Sequence, residues 1–157
     1  MRERLDPLYR ATEYRVLAGS QLISLVIDRQ DPRNETALAE SSGDYRQWAI
    51  ITPCNPASVA LCQQENAALL ENFHHWLRHK SYRWLPSLNH DPDGHWPDEP
   101  GALIFDIERN DAEALGRQFG QNAIVHALRG HAPQLVWLRK NKNATGQTGL
   151  TGKNFSW

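Results

Sequence analysis

The stretch from His90 to Gly101 is dense in groups that exchange protons or bind metals. It holds two histidines and four carboxylates around Trp96, and three prolines and two glycines restrict its backbone. Turn geometry alone explains Asp91 to Gly94, because proline presets φ and Asp and Gly tolerate turn conformations. Beyond that turn stands Glu99, whose carboxylate is a candidate general acid or base. Asp91 is the second candidate for this role.

Trp96 and Glu99 also have structural interpretations. Trp96 precedes Pro97 in a rigid loop, where a large ring is either a lid over a ligand or a plug on the core. Glu99 is an acid or base, an ion-pair partner or a solvated charge. The sequence leaves these alternatives open.

A second polar cluster, from Gly116 to Asn122, follows the end of a predicted helix. Arg117 suits a carboxylate or phosphate group, and Gln121 offers hydrogen bonds. Arg117 has an alternative role as the internal ion-pair partner of Glu99 or Glu113. The cluster is therefore either a binding site or a packing motif.

A third cluster runs from Thr52 to Ser58, where a predicted strand leads into a helix, a common place for binding groups. Asn55 is either a ligand contact or the cap of an Asx turn. Cys54 and Cys62 are weak candidates for a nucleophile, because no histidine can be placed beside either one.

The histidines give no metal motif. His75 and His79 have a usable spacing on a helix, but no third ligand accompanies them. His90, Asp91 and His95 are exposed polar residues by the simpler interpretation. The glycines form no phosphate-binding loop. We therefore expect no metal and no cofactor.

Size and charge limit the class of protein. The chain has 157 residues and a net charge of −1, so we expect one globular domain over 1–138 and no general attraction to nucleic acid. It has no apolar signal region and no apolar run of membrane-spanning length. We expect a soluble cytoplasmic protein with reduced thiols. Residues 139–157 carry four basic and no acidic residues, and we predict a flexible basic tail.

Hydrophobic patterns and turn signals predict the elements that position these clusters. A short helix is predicted over 6–12, with Asp6 as N-cap and Pro7 at its first position. Residues 28–46 are predicted as a loop with one helical turn near Thr36–Glu40. The predicted strands are Tyr14–Leu17, Leu22–Ile27, Trp48–Thr52, Tyr82–Leu85, Ala102–Ile107, Ala123–Leu128 and Gln134–Leu138. One long helix ends near Lys80, and another begins at Asn110 with a capping box to Glu113 and closes at Gly120.

The order from Trp48 to Leu128 is strand, helix, strand, strand, helix, strand. That is the split βαβ, ferredoxin-like order. With an N-terminal β-hairpin before it and one strand after it, the chain is predicted to be α+β. We expect a mostly antiparallel sheet with the two main helices on one face.

Four motifs carry a family resemblance. They are Ile50-Ile51-Thr52-x-x-Asn55-Pro56-x-Ser58, Glu65-Asn66, Asp91-Pro92-x-Gly94-x-Trp96-Pro97-x-Glu99 and Phe119-Gly120-Gln121-Asn122-Ala123. In this order, over roughly residues 9 to 138, the chain resembles a family of small bacterial proteins classed as a domain of unknown function. The resemblance implies no reaction, substrate or cofactor. This sequence departs from the family pattern at Pro53-Cys54, at Cys62 and at Pro100-Gly101. At the last two places it lacks a hydroxyl group that the family pattern has.

We expect the three clusters to meet in a pocket for a small polar or anionic ligand. Its predicted binding residues are Asn55, Glu65, Asn66, Trp96, Arg117 and Gln121. Glu99 or Asp91 would serve as acid or base, although no complete catalytic set is present, so the sequence does not decide whether the protein is an enzyme. The alternative is a non-enzymatic module that binds a protein or nucleic acid through a sheet face, a sheet edge or the basic tail.

Overall fold

The computed structural model describes residues 1–139, which form four helices and seven strands. The helices are α1 (Arg2–Ala11), α2 (Pro32–Ser42), α3 (Gln63–Lys80) and α4 (Arg109–Gln118). The strands are β1 (Glu13–Ala18), β2 (Gln21–Leu25), β3 (Gln47–Ile51), β4 (Trp84–His90), β5 (Glu99–Phe105), β6 (Ala123–Leu128) and β7 (Gln134–Trp137). The predicted tail lies outside the described residues except for Arg139.

The seven strands form one antiparallel sheet in the order β2-β1-β4-β5-β3-β6-β7. The sheet is curled, so that its two edges approach each other. The main-chain N–H of Asp28, just after β2, donates to the carbonyl of Pro133, just before β7, at 2.8 Å. Helix α1 bridges the same gap, because Asp6 accepts a 2.8 Å hydrogen bond from the indole of Trp137 and Arg10 pairs with Asp28.

The two faces of the sheet carry separate cores. On one face, α3 and α4 pack Phe73, Leu77 and Leu115 against Ala49 and Ile51 of β3. The alternation of strand side chains sends Trp48 and Ile50 to the other face. There they pack with residues of β1, β2 and β5, beneath Ala37 and Leu38 of α2. The prediction of an α+β protein with an antiparallel sheet is therefore confirmed, with α3 and α4 sharing a face.

Two predictions about the first third of the chain were wrong. The first helix begins at Arg2, so Pro7 lies inside it and Asp6 pairs with Arg10 one turn later instead of capping. Residues 28–46 are not mainly loop, because α2 occupies Pro32–Ser42. Asp31 caps that helix by accepting the N–H of Arg33, and Pro32 takes the first helical position.

The later elements differ from prediction mainly at their ends. Helix α4 begins after Glu108, and no side-chain hydrogen bond caps it, so the capping box from Asn110 to Glu113 was wrong. Gly120 does adopt the predicted left-handed conformation, with φ of 68°. The stretch from His90 to Gly101 is not all loop, because β4 includes His90 and β5 starts at Glu99. The loop itself is therefore 91–98, the connection of a β-hairpin.

Among residues 1–139, no helix has the length and apolar character needed to cross a membrane.

Candidate functional site

The loop after β3 is held in an unusual backbone conformation. Asn55, Ala57 and Ser58 all have positive φ, at 48°, 56° and 57°. Such angles are uncommon for residues other than glycine, and they persist only where surrounding contacts impose them. One of these contacts is the N–H of Ala57, which donates to the carbonyl of Gly120 at 2.8 Å.

Asn55 is the centre of the hydrogen-bond network that fixes this loop. Asn55 is only 3% exposed. The side-chain Nδ2 donates to Oε2 of Glu99 at 2.6 Å, while Oδ1 accepts from the N–H of Leu61 at 2.9 Å and from Nδ2 of Asn66 at 2.8 Å. Asn66 in turn accepts the main-chain N–H of Asn55 at 2.9 Å. Asn55 therefore links β3, the start of α3 and the start of β5.

The turn between α4 and β6 is joined to the same loop. Gln121 Nε2 donates to the carbonyl of Cys54 at 3.0 Å. Asn122 Nδ2 donates to the hydroxyl of Ser58 at 2.9 Å, and that hydroxyl also lies 2.9 Å from the hydroxyl of Tyr9. The hydroxyl of Tyr14 donates to the carbonyl of Tyr9 at 3.0 Å, which ties α1 to β1 at this end of the sheet.

Asp91 shapes the hairpin loop that presents Trp96. Its carboxylate accepts the main-chain N–H groups of Asp93, His95 and Trp96 at 2.9, 2.9 and 3.1 Å. These bonds hold the pKa of Asp91 below its ordinary value, and the bond from Asp93 has the largest effect. Asp91 is thus the organiser of the turn, and an ionised carboxylate occupied in this way is a poor proton shuttle.

Glu99 is the ionisable group at the centre of the site. Burial raises the pKa of the Glu99 carboxyl above its ordinary value of 4.5, although hydrogen bonds from Asn55 and from the side chain of Trp96 act in the opposite direction. Desolvation prevails over two neutral donors, as expected where no cation compensates the charge. Glu99 is therefore the carboxyl of this network that takes up a proton most readily.

A row of side chains crosses the sheet beside Glu99. Tyr14 of β1 pairs with Asn89 of β4, and Asn89 pairs with Glu99 of β5, so all three point to the same face. The Oδ1 atom of Asn89 is buried and has no hydrogen-bond partner in the described chain. Ser87 lies two residues before Asn89 in β4 and points to the same face. Its hydroxyl is also buried without a hydrogen-bond partner in the described chain.

The predicted site residues are only partly brought together. Asn55, Asn66, Trp96, Glu99 and Gln121 belong to one network. Glu65 is exposed in the first turn of α3. Arg117 lies in the last turn of α4, and within residues 1–139 no side-chain hydrogen bond or ion pair joins it to Glu99 or to Glu113.

Sequence reasoning missed Tyr9, Tyr14 and Asn89. The pairing of β1 with β4 places Tyr14 beside Asn89, and this pairing joins residues far apart in the chain. Asn89 itself faces Glu99 across the β4–β5 hairpin, beyond the end of the strand predicted over Tyr82–Leu85. A local pattern does not reveal such a partner. The one usable signal was the pair of tyrosines flanking the start of the first predicted strand.

The remaining candidates for chemistry lie apart from this network or are inactive in it. Burial raises the pKa of the Cys54 thiol, the opposite of what an activated nucleophile needs. The rings of His75 and His79 stack 6.1 Å apart, and the described residues contain no group of three metal-ligating side chains. A surface depression lined by Tyr45, Trp48 and Arg129 includes none of the site residues.

The Glu99 carboxyl makes the stability of the fold depend on pH. The pKa of Glu99 is higher in the folded protein than in the unfolded protein. The stability that this carboxyl contributes is therefore fully present below its unfolded pKa, and it is lost as the pH rises through its folded pKa. We therefore expect the free energy of unfolding of the wild type, minus that of Glu99→Gln, to decrease between pH 4 and neutral pH. Urea unfolding at a series of pH values measures this difference.

Two points make that comparison specific. The other titratable groups that interact with Glu99 are Tyr9, Tyr14 and Cys54, and burial raises the pKa of each. They therefore do not titrate in the acidic range. Glu71→Gln, at an exposed position of α3, controls for the loss of a surface charge. A difference that increases with pH would contradict the assignment.

A family model matches part of the chain. No curated protein and no solved structure matches the chain. Residues 51–124 match the family model of a protein of unknown function (DUF3293), and this match confirms the predicted resemblance to a domain of unknown function.

Proposed function

We propose that this protein binds a small polar ligand at the end of the sheet where β3 stops and β5 starts. The site, which we call the Glu99 site, consists of Asn55, Asn89, Trp96 and Glu99. The observation that supports it best is the half-buried Glu99 carboxyl opposite the side-chain Oδ1 of Asn89, which is buried and has no donor among residues 1–139. Buried polar atoms usually have a partner, and those that lack one often mark a functional position.

The ligand class is narrower than the sequence suggested. The sequence left open a polar or an anionic ligand, the latter because of Arg117, but among residues 1–139 no side-chain hydrogen bond or ion pair joins Arg117 to Glu99. The acceptors of the Glu99 site, the half-buried carboxyl of Glu99 and the buried Oδ1 of Asn89, instead call for a ligand that donates N–H or O–H groups. Glu99 would also exchange a proton with such a ligand if a reaction occurs there.

We also propose a ferredoxin-like core for the scaffold of this site. The sequence of elements from β3 to β6 is strand, helix, strand, strand, helix, strand, and the four strands lie in the order β4-β5-β3-β6 with antiparallel neighbours. This arrangement supports a split βαβ unit extended by the β1–β2 hairpin and by β7. Two free thiols, Cys54 and Cys62, suit the reducing cytoplasm that we propose as its location.

A thermal-shift screen tests the binding proposal. Metabolites, nucleotides and divalent metals are added to the wild type, to Glu99→Gln and to the surface control Glu71→Gln. A compound that binds only the folded state raises the melting temperature in proportion to RT ln(1 + [L]/Kd), about 2.7 kcal/mol of stabilisation at a hundred times Kd.

The expected result is at least one polar compound that stabilises the wild type and Glu71→Gln but not Glu99→Gln. If every stabilising compound acts equally on Glu99→Gln, the Glu99 site is not where ligands bind. The proposal is also overturned if no polar compound stabilises the wild type.

A further inference from the structure

We propose that the ligand of the Glu99 site is an organic cation with N–H donors. Its ammonium or guanidinium group would donate hydrogen bonds both to the carboxylate of Glu99 and to the side-chain Oδ1 of Asn89. This inference rests on the proposed function and adds the charge of the ligand.

The carboxylate of Glu99 has no positively charged partner in the described part of the chain. Both of its hydrogen-bond donors, Asn55 and Trp96, are neutral. The groups that it affects electrostatically are Tyr9, Tyr14 and Cys54, which are neutral or acquire negative charge. A half-buried carboxylate in such surroundings needs either a proton or a cation.

The neighbour of Glu99 adds a second acceptor with the same need. Asn89 lies directly opposite Glu99 in the β4–β5 ladder, where facing Cβ atoms are about 5 Å apart. Within the described 139 residues its buried Oδ1 has no donor, and Ser87, which is 6% exposed, has a buried hydroxyl without a partner on the same face. Leaving one such group unsatisfied costs about 1 to 3 kcal/mol.

A cation with several N–H groups answers both needs at once. Bound water would satisfy Asn89 but would leave the charge of Glu99 uncompensated. A neutral polar ligand would leave that charge uncompensated unless Glu99 took up a proton, and an anion would be repelled by the charge. An ammonium has three donors and a guanidinium has five, so either one donates to the carboxylate and to the carbonyl oxygen together.

Matched probes distinguish these classes by charge alone. Propylguanidine and propylurea have nearly the same shape, as do butylamine and butanol, and only the first of each pair is cationic at neutral pH. Each compound is titrated into the ¹⁵N-labelled full chain, and binding is followed by the indole N–H signal of Trp96. The variants are Glu99→Gln, Asn89→Leu and the surface control Glu71→Gln.

We expect a saturable shift of the Trp96 signal with propylguanidine and butylamine. The neutral compounds should bind at least about tenfold more weakly, because charge-assisted hydrogen bonds are about twice as strong as neutral ones. Glu99→Gln should abolish the preference for the cations, while Glu71→Gln should retain it. Asn89→Leu should weaken the binding of butylamine and leave the melting temperature unchanged or higher, since it removes a buried acceptor that lacks a donor.

Three results would overturn the inference. If propylurea and butanol bind as tightly as their partners and need Glu99, the ligand is neutral, and the Glu99 site still stands as a polar binding site. If no probe shifts the Trp96 signal, the cationic class fails. A lower melting temperature of Asn89→Leu, with butylamine binding unchanged, would show that Asn89 serves the fold instead of a ligand.

Discussion

Asn55→Ala is expected to lower the free energy of unfolding by about 3 to 4 kcal/mol, since each buried group left without its partner costs about 1 to 3 kcal/mol. The change removes the donor to Glu99 and the acceptor for both Leu61 and Asn66. It also places a residue with a Cβ at φ of 48° without the local hydrogen bonds that favour asparagine there. Urea unfolding monitored by tryptophan fluorescence gives the value.

Asn55→Gly separates the two parts of this effect. Glycine loses the same hydrogen bonds but adopts positive φ freely, so it should be less destabilised than Asn55→Ala by about 1 kcal/mol. A loss below about 1 kcal/mol for Asn55→Ala would mean that the network contributes little to folding. The site would then be held by the backbone of the loop instead of by the side chain of Asn55.

Gly101→Ala should have a comparable or larger effect for a steric reason. A Cβ at this position would lie 2.3 Å from the carbonyl oxygen of Ile51 and 2.9 Å from Cα of Thr52. Both contacts are with the backbone of β3 and its continuation, so no side chain can turn away. We expect a loss of at least about 3 kcal/mol, at the upper end of what overpacking costs, measured as the shift in the urea midpoint.

Gly94→Ala is the matched control for Gly101→Ala. Gly94 lies in the 91–98 loop with φ of 70° and with no atom within 4 Å of an added Cβ. Its substitution therefore costs backbone strain alone, about 1 to 2 kcal/mol. Gly101→Ala with stability equal to that of Gly94→Ala would show that β3 and β5 can separate without loss.

The strands and α3 could be predicted because their signals are local. Phe73 and Leu77 lie on one helical face and are both fully buried, as their spacing indicated. Helix α2 was missed because Ala37 and Leu38 are its only buried residues, too few to give a period. Its start signal, Asp31 followed by Pro32, lies in the polar stretch 28–46, which was predicted as a loop.

The site was predictable only where it depends on the ends of neighbouring elements. Asn55, Asn66 and Gln121 converge for that reason. Arg117 was grouped with Gln121 because both belong to the polar stretch from Gly116 to Asn122, but Arg117 lies in the last turn of α4 and Gln121 follows the turn at Gly120. Asn89 was missed because the strand was predicted to end at Leu85, whereas β4 continues to His90.

The curl of the sheet has a consequence for the speed of folding. The hairpins β1–β2, β4–β5 and β6–β7 join residues close in the chain, whereas the hydrogen bond from Trp137 to Asp6 spans 131 positions. Proteins dominated by such distant contacts fold slowly for their size, because loop-closure entropy is lost before the contacts form. The row from Tyr14 to Glu99 needs β1 to dock on β4, so we expect it to form late. A ligand held there would then act chiefly by slowing unfolding, with little change in the rate of folding.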